Sequence, residues 1–193
     1  MSIRVLGGFA KNFLLVTPKT DTTRPTSVLL RRRLFDWRQN LEGYQFVDLF
    51  AGSGAMGIEA LSRGAECVFL NDSNKLAFKS ISLNCEKIKS SYKIDSSIID
   101  LSQLDGLLWV KRNLVGLSDF FTEMILYIDP PYEKHQLYYD LFNELKMIGY
   151  SGEVWVESDK LKGVSEDQLA GNFKKINKRF YQGDHFVLVG NLL

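Results

Sequence analysis

The run Phe46-Val47-Asp48-Leu49-Phe50 leads through Ala51 into the glycine-rich stretch Gly52-Ser53-Gly54-Ala55-Met56-Gly57, and helix-compatible sequence continues to Arg63 before Gly64 stops it. A short apolar strand that turns through glycines into a helix commits the chain to a βαβ unit. The helix must bury one side on the sheet and return the chain for a parallel neighbour. The same alternation repeats downstream. Strands are predicted at 67–70, 93–99, Met124–Ile128 and 153–157, with helices at 75–89 and 134–148. Residues 174–182 and 185–192 alternate as a hairpin turning at Gly183-Asp184. The expected class is α/β, with a mostly parallel sheet and a C-terminal antiparallel hairpin. Ahead of this block, Gly7-Gly8, Pro18 and Pro25 break the first 26 residues into a small N-terminal β-hairpin extension. Residues 27–39 read as a helix. Val28, Leu29, Leu30, Leu34, Phe35 and Trp37 form its apolar side, and Arg31-Arg32-Arg33 partly face water.

Charge divides the chain at the same place. Residues 1–40 carry eight basic against two acidic side chains, +6, and the remainder carries 16 against 21, −5. A basic arm on an acidic body suits a polyanionic partner, and a solvated basic helix face is the equal alternative. The chain therefore reads as an extension over 1–40 and a main domain over 41–193. No apolar run reaches the ~18 residues of a membrane span. Residues 1–10 lack the order of a secretory signal. Cys67 and Cys85 have no metal-like spacing and are expected as reduced, buried thiols of a cytoplasmic protein.

In open α/β sheets ligands bind at the carboxyl ends of the strands. Asp48, Asp72, Asp100 and Asp129 all fall at or near such ends in the predicted scheme. The glycine loop literally matches the dinucleotide fingerprint, with Asp72 about 20 residues on, so a nicotinamide-dependent oxidoreductase must be considered. Asp48 argues otherwise. A carboxylate just before the loop repels a pyrophosphate. It suits S-adenosylmethionine (SAM), which carries an ammonium and a sulfonium and no phosphate. Asp48 is expected to anchor the ammonium and Asp72 the ribose hydroxyls. Asp100 is placed at the adenine amino group, with a helix cap as its alternative. Ala51, Gly52, Ser53, Gly54 and Asn71 complete the expected donor site, and no metal is expected.

Asp129-Pro130-Pro131-Tyr132 is the second marker. Two prolines fix φ, remove two backbone donors and force an extended corner. The corner presents a carboxylate, a free carbonyl and an aromatic face together. That set fits an amino group on a planar ring: Asp129 and the Pro130 carbonyl accept its two N–H bonds, and Tyr132 stacks on the ring. Such an amine is a poor nucleophile because its lone pair is delocalised. Hydrogen bonds drawn out of the ring plane favour a pyramidal nitrogen aimed at an incoming methyl carbon, and Asp129 offsets the charge that develops.

These residues belong to a longer match. Arg24-Pro25-Thr26, Leu34-Phe35-Asp36-Trp37, the run from Asp48 to Ala65, Asp129-Pro130-Pro131-Tyr132, the opening Ile3-Arg4-Val5-Leu6-Gly7-Gly8 and Val154-Trp155-Val156-Glu157-Ser158 resemble the RsmD family of bacterial 16S rRNA guanine-N2 methyltransferases. The resemblance implies a Rossmann-like SAM-dependent methyltransferase fold, SAM as donor and a guanine of 16S rRNA, or of a small-subunit assembly particle, as acceptor. No membrane partner is expected, and the chain is expected to act as a monomer. RNA contacts are expected from the basic side chains Arg4, Lys11, Arg24, Arg31, Arg32 and Lys134 through the phosphate backbone. The chain departs from the family pattern at Phe9-Ala10-Lys11-Asn12-Phe13, where a basic stretch is usual, and at Arg32, where an acidic residue is usual. A DNA adenine-N6 methyltransferase and a non-catalytic ribosome-assembly module are further alternatives. His135 is expected exposed at a helix start and His185 at the final hairpin. Trp109 and Trp155 are expected in the core or facing a partner.

Overall fold

The computed structural model of the chain describes residues 2–18 and 28–193. Two short strands, β1 (Ser2–Arg4) and β2 (Leu14–Val16), pair antiparallel as the N-terminal hairpin. The main sheet contains β3 (Gln45–Asp48), β4 (Cys67–Asn71), β5 (Ile99–Ser102), β6 (Met124–Ile128), β7 (Glu153–Asp159), β8 (Lys175–Gln182) and β9 (His185–Asn191). Its spatial order is β5-β4-β3-β6-β7-β9-β8. The first five strands in that order run parallel, and β9 and β8 add an antiparallel edge. The mixed α/β architecture thus matches the sequence expectation. The chain lays β3, β4 and β5 outward, then returns to place β6 on the other side of β3. That reversal opens the crevice at the carboxyl ends of β3 and β6.

Among the described residues six α-helices flank the sheet: α1 (Val28–Trp37), α2 (Ala55–Ser62), α3 (Lys75–Tyr92), α4 (Gly106–Trp109), α5 (His135–Met147) and α6 (Glu166–Ala170). All five residues of β6 are buried, as a central strand covered on both faces requires. One face packs the hairpin, α1, α2 and α3 around Phe46, Tyr127 and Trp155. The other packs α4, α5 and α6 around Val47, Leu126 and Val154. Trp155 meets Phe35 and Phe46 at ring distances of 5.7 Å. Trp109 and Trp155 are therefore both core residues. Ile3, Val5, Ala10, Leu15, Leu30, Leu34 and Phe35 share the first cluster, so the described part of the extension is packed onto the body.

Three local expectations change. The third strand is not 93–99. α3 runs on to Tyr92, and Lys93 ends it at φ 54°, in the left-handed region. Asp95 then caps a 3-10 turn at Ser96–Ile98, and only Ile99–Ser102 pairs with β4. Of the predicted helix 27–39, residues 28–37 are helical and Ser27 lies outside the described residues. Its buried side holds Leu30, Leu34 and Phe35 but also Arg31, while Val28, Leu29 and Trp37 are exposed. Both cysteines are free; Cys85 is buried and Cys67 only half so.

Candidate active site

The loop after β3 is shaped by its glycines. Gly52 and Gly54 take φ values of 57° and 79°, where a Cβ is strongly disfavoured. The Gly54 amide closes a tight turn on the Ala51 carbonyl at 2.6 Å. Gly57 has a different task. A Cβ there would lie 2.0 Å from the Leu70 side chain, so glycine is what lets α2 approach β4. The loop backbone is thereby held over the end of the sheet with the first turn of α2 behind it.

Asp48 ends β3 directly beneath this loop. It is 1% exposed, and neither carboxylate oxygen has a hydrogen-bond partner among the described residues. Burial pushes its carboxyl up to about 8. The amides of Gly57 and Phe50 oppose this without closing a bond of ordinary geometry, and the charges of Asp72 and Glu157 add to the rise. A buried carboxylate left without donors is costly, and a cationic ligand group satisfies it. The SAM ammonium fits this requirement; a pyrophosphate does not. Asp72 is also raised by burial, against the pull of two amides. Its Oδ2 accepts from the Gly52 N–H at 2.9 Å and its Oδ1 from the Asn74 N–H at 2.9 Å. Each oxygen keeps a lone pair for a further donor, as a ribose diol requires.

Two expected donor-site residues are elsewhere engaged. Asn71 is fully buried, and its side chain is consumed by protein contacts. Nδ2 donates to the carbonyls of Leu49 and Leu104, and Oδ1 accepts from the Ser102 hydroxyl and the Leu104 amide, all at 2.9–3.0 Å. It ties the ends of β3, β4 and β5 together and has no donor or acceptor left for a ligand. Asp100 lies within β5, opposite Phe69, because the strand starts later than predicted. It is exposed and two residues short of the strand end. Its charge acts, after burial, to raise the Cys67 thiol, a residue at the start of β4. Ser102 takes the position at the crevice, and Asp105 caps α4 by accepting from the Leu107 and Leu108 amides at 3.0 and 3.2 Å.

The second half of the site follows β6. Asp48 pairs with Tyr127 across the β3–β6 ladder, so Asp129 stands two residues beyond it on the neighbouring strand. Asp129 is half-buried, Pro130 buried, Pro131 exposed and Tyr132 half-buried. The Lys134 amide donates to the Pro131 carbonyl at 2.9 Å and closes the corner. Tyr132 is held from behind. Its hydroxyl donates to Glu157 Oε1 at 3.2 Å and lies 3.0 Å from His185 Nδ1. Glu157 Oε2 accepts from the Tyr127 hydroxyl at 2.5 Å. Burial drives the Tyr132 phenol far above its ordinary range, and the charges of Asp129 and Glu157 act in the same direction. Glu157, 1% exposed, and His185 as a Tyr132 partner were missed from sequence. Glu157-Ser158-Asp159 closes the buried strand β7, so the strand-end rule that marked Asp48 and Asp129 also points to it.

The basic residues separate into two groups. Arg4, Lys11, Arg32 and Lys134 are exposed. Arg31 is not: it is 1% exposed, donates from Nη2 to the Arg4 carbonyl at 2.7 Å and sits in the field of Glu59. It is a core strut, out of reach of any phosphate. Arg24 lies outside the described residues. His135 is exposed at the start of α5, with Nε2 2.8 Å from the Lys162 carbonyl. Among the described residues no group of three or more His, Cys, Asp and Glu side chains is placed to hold a metal ion, and no helix is long and apolar enough to cross a membrane.

Comparison with known proteins gives the family and the fold. The model of the family described as conserved hypothetical protein 95 matches residues 3–190. Ribosomal RNA small subunit methyltransferase D of Buchnera aphidicola subsp. Acyrthosiphon pisum is 26% identical over 165 residues, covering 84% of this chain and 81% of that protein. The solved structure of Escherichia coli yhhF superposes with a TM-score of 0.76 at 22% identity, over 100% of this chain and 98% of that one. SMU.776, solved in complex with SAH, gives a TM-score of 0.59 at 16% identity over 83% of this chain and 49% of that one. At these identities the structural likenesses carry the fold, that of Rossmann-like methyltransferases.

Proposed function

The chain belongs to the RsmD family, which the conserved hypothetical protein 95 model describes, and on that premise we propose that it methylates the exocyclic N2 amino group of a guanine in 16S rRNA, with SAM as donor. The observation that carries the proposal is the placement of two carboxylates at the carboxyl ends of adjacent strands. Asp48 is buried, closes no hydrogen bond of ordinary geometry among the described residues and calls for a cation. Asp129 opens a rigid corner two register steps away that calls for a ring-borne amine. The name of the Buchnera relative supports rRNA as substrate, and the SAH bound to SMU.776 supports the donor.

When bound, SAM supplies an electrophilic methyl carbon on a sulfonium. Asp48 neutralises the donor's ammonium, and Asp72 accepts from the ribose hydroxyls. The backbone from Ala51 to Gly54 would lie against the donor, with glycine at 52 and 54 leaving no side chain at those two positions to hold it off. Asp129 and the Pro130 carbonyl accept the two N–H bonds of the acceptor amine and turn its lone pair out of the ring plane. The N–CH3 bond forms as the S–CH3 bond breaks, and one proton leaves the nitrogen toward Asp129. That proton becomes acidic only as the bond forms, so Asp129 need not be a strong base beforehand. Fixing both partners in line supplies much of the rate. Arg4, Lys11, Arg32 and Lys134 hold the RNA backbone while the target base is flipped into the crevice. In this account a monomer works in the cytoplasm, with residues 1–40 as the RNA-gripping extension of the 41–193 methyltransferase unit.

An Asp129→Ala protein tests the chemistry. It should bind SAM as the parent does and lose methyl transfer by about 100-fold or more, the scale of one positioned charged acceptor. Full turnover in that variant would remove Asp129 from the mechanism. Preferential transfer to duplex DNA adenine would move the acceptor to the DNA alternative.

A further inference from the structure

The proposed chemistry gives Glu157 and His185 no part, yet both converge on one oxygen of the catalytic corner. Glu157 comes from β7 and His185 from β9, and they meet the Tyr132 hydroxyl at 3.2 and 3.0 Å. A phenol carries one proton. When it goes to an ionised Glu157, the Tyr132 oxygen can only accept from His185, so His185 must present Nδ1–H. Asp159 Oδ2, 3.6 Å from the same Nδ1, favours that proton. Tyr132 is thus gripped by an acceptor and a donor on two strands, and Tyr127 fills the other Glu157 oxygen. A buried carboxylate is expensive, and apolar residues would close a strand end at lower cost. Here its two oxygens hold two tyrosines, one of them in the proposed active site.

We propose that Glu157 and His185 are positioning residues for methyl transfer, fixing the Tyr132 ring by its hydroxyl edge so that its face stands against the acceptor ring held at Asp129. This rests on the proposed methylation of a ring-borne amine and extends it to the orientation of the stacking surface. A Tyr132 freed of the grip still offers a ring, but in a spread of orientations. The loss therefore falls on kcat and leaves SAM affinity alone. Ionisable groups that act on Glu157 include Tyr127 on β6, Tyr132 at the corner, Tyr138 on α5 and Asp48 on β3, while His185 on β9 and Asp129 act on Tyr132 beside it. Burial pushes Glu157 up to about 7 against the pull of the two tyrosine hydroxyls. Once protonated, it no longer needs to accept from Tyr132, and the grip rearranges.

A double-mutant cycle with a spectroscopic readout tests this. Methyl transfer is measured for the full-length protein, Glu157→Gln, Tyr132→Phe, His185→Gln and the Tyr132→Phe/Glu157→Gln pair, each checked for folding by thermal melting. Glu157→Gln should lower kcat about tenfold in the parent, the scale of a lost hydrogen bond to a charged group, and by less than about twofold when Tyr132 is already Phe. The Km for SAM should hold. Effects that multiply in the double variant would overturn the proposal, because Glu157 would then act other than through Tyr132. Independently of activity, the ring-labelled Tyr132 signal in carbon NMR, identified by its loss in Tyr132→Phe, should move in both Glu157→Gln and His185→Gln, because each changes a partner of the hydroxyl. A signal that stays in place in one or both variants overturns the positioning by that residue. Failure of the parent to methylate any RNA, with both NMR shifts present, overturns the proposed function and leaves the grip standing. If Glu157→Gln fails to fold, His185→Gln in the presence and absence of the Tyr132 hydroxyl completes an equivalent cycle.

Discussion

Asn at position 48 would keep the shape of Asp48 and remove its charge, which makes Asp48→Asn the sharpest perturbation of the donor site. In the free protein the Asp48 carboxyl is pushed from 3.8 up to about 8. Between these two values the folded chain holds a proton that the unfolded chain has released. Unfolding then releases a proton, and stability falls as pH rises from about 4 to about 8. At ~1.4 kcal/mol per pH unit the full loss from this group is on the order of 5 kcal/mol. A cation bound beside Asp48 reverses the preference and ionises it. At pH 6.5 SAM binding should therefore release close to one proton, and its Kd should fall about tenfold per pH unit between 5.5 and 7. Titration calorimetry in buffers of different ionisation enthalpy reads the proton directly. Asp48→Asn should bind SAM at least tenfold more weakly at pH 7, release no proton, and melt with a flatter pH dependence than the parent. A Kd that ignores pH with no proton released, or an Asn variant that binds as tightly, would refute the assignment of Asp48 to the ammonium.

Four further substitutions follow from the geometry. Gly57→Ala should destabilise the fold by about 1–3 kcal/mol through overpacking, because its Cβ meets Leu70 at 2.0 Å; a melt within a degree of the parent would show that α2 simply shifts. Asn71→Ala should cost about 3 kcal/mol or more, since it strips four hydrogen bonds from the ends of three strands, and SAM binding should fail with stability; a stable protein with weakened SAM binding would return Asn71 to the ligand set. Arg32→Ala should leave the melt unchanged and reduce the salt slope of RNA binding by about one, whereas Arg31→Ala should lower the melt because it empties a buried site. A common effect on RNA binding at equal stability would contradict the burial of Arg31.

The parts of the molecule that were legible in sequence are those fixed by local patterning. Gly52 and Gly54 need their backbone freedom whatever packs around them. The prolines at 130 and 131 impose their corner without help, and the alternation of 175–191 encodes a hairpin directly. The parts that were misread depend on distant contacts or on competing local bonds. The polar stretch at 93–98 resembles a weak strand, but Lys93 and Asp95 supply a helix stop and a turn cap that win locally. Asp100 moved with that boundary. Asn71 looks like a ligand residue because it adjoins Asp72, and only the positions of Leu49, Ser102 and Leu104 show that its amide is spent. Arg31 sits one residue after Leu30, and three and four before Leu34 and Phe35. Helical spacing alone puts it on the buried side, but the triple-arginine run masks that signal. α6 carried a readable sign in its capping box from Ser165 to Gln168. The run from Val110 to Glu123, a π turn followed by 3-10 geometry, had none.

The catalytic corner is proposed to pass a methyl group to guanine N2. Incubating the protein with labelled SAM and 16S rRNA or small subunits from a strain lacking the native enzyme, followed by nucleoside analysis, tests it most directly. Label in N2-methylguanosine at a single position, abolished by Asp129→Ala, is the predicted result; label in N6-methyladenosine, or none in any RNA or subunit offered, would contradict it.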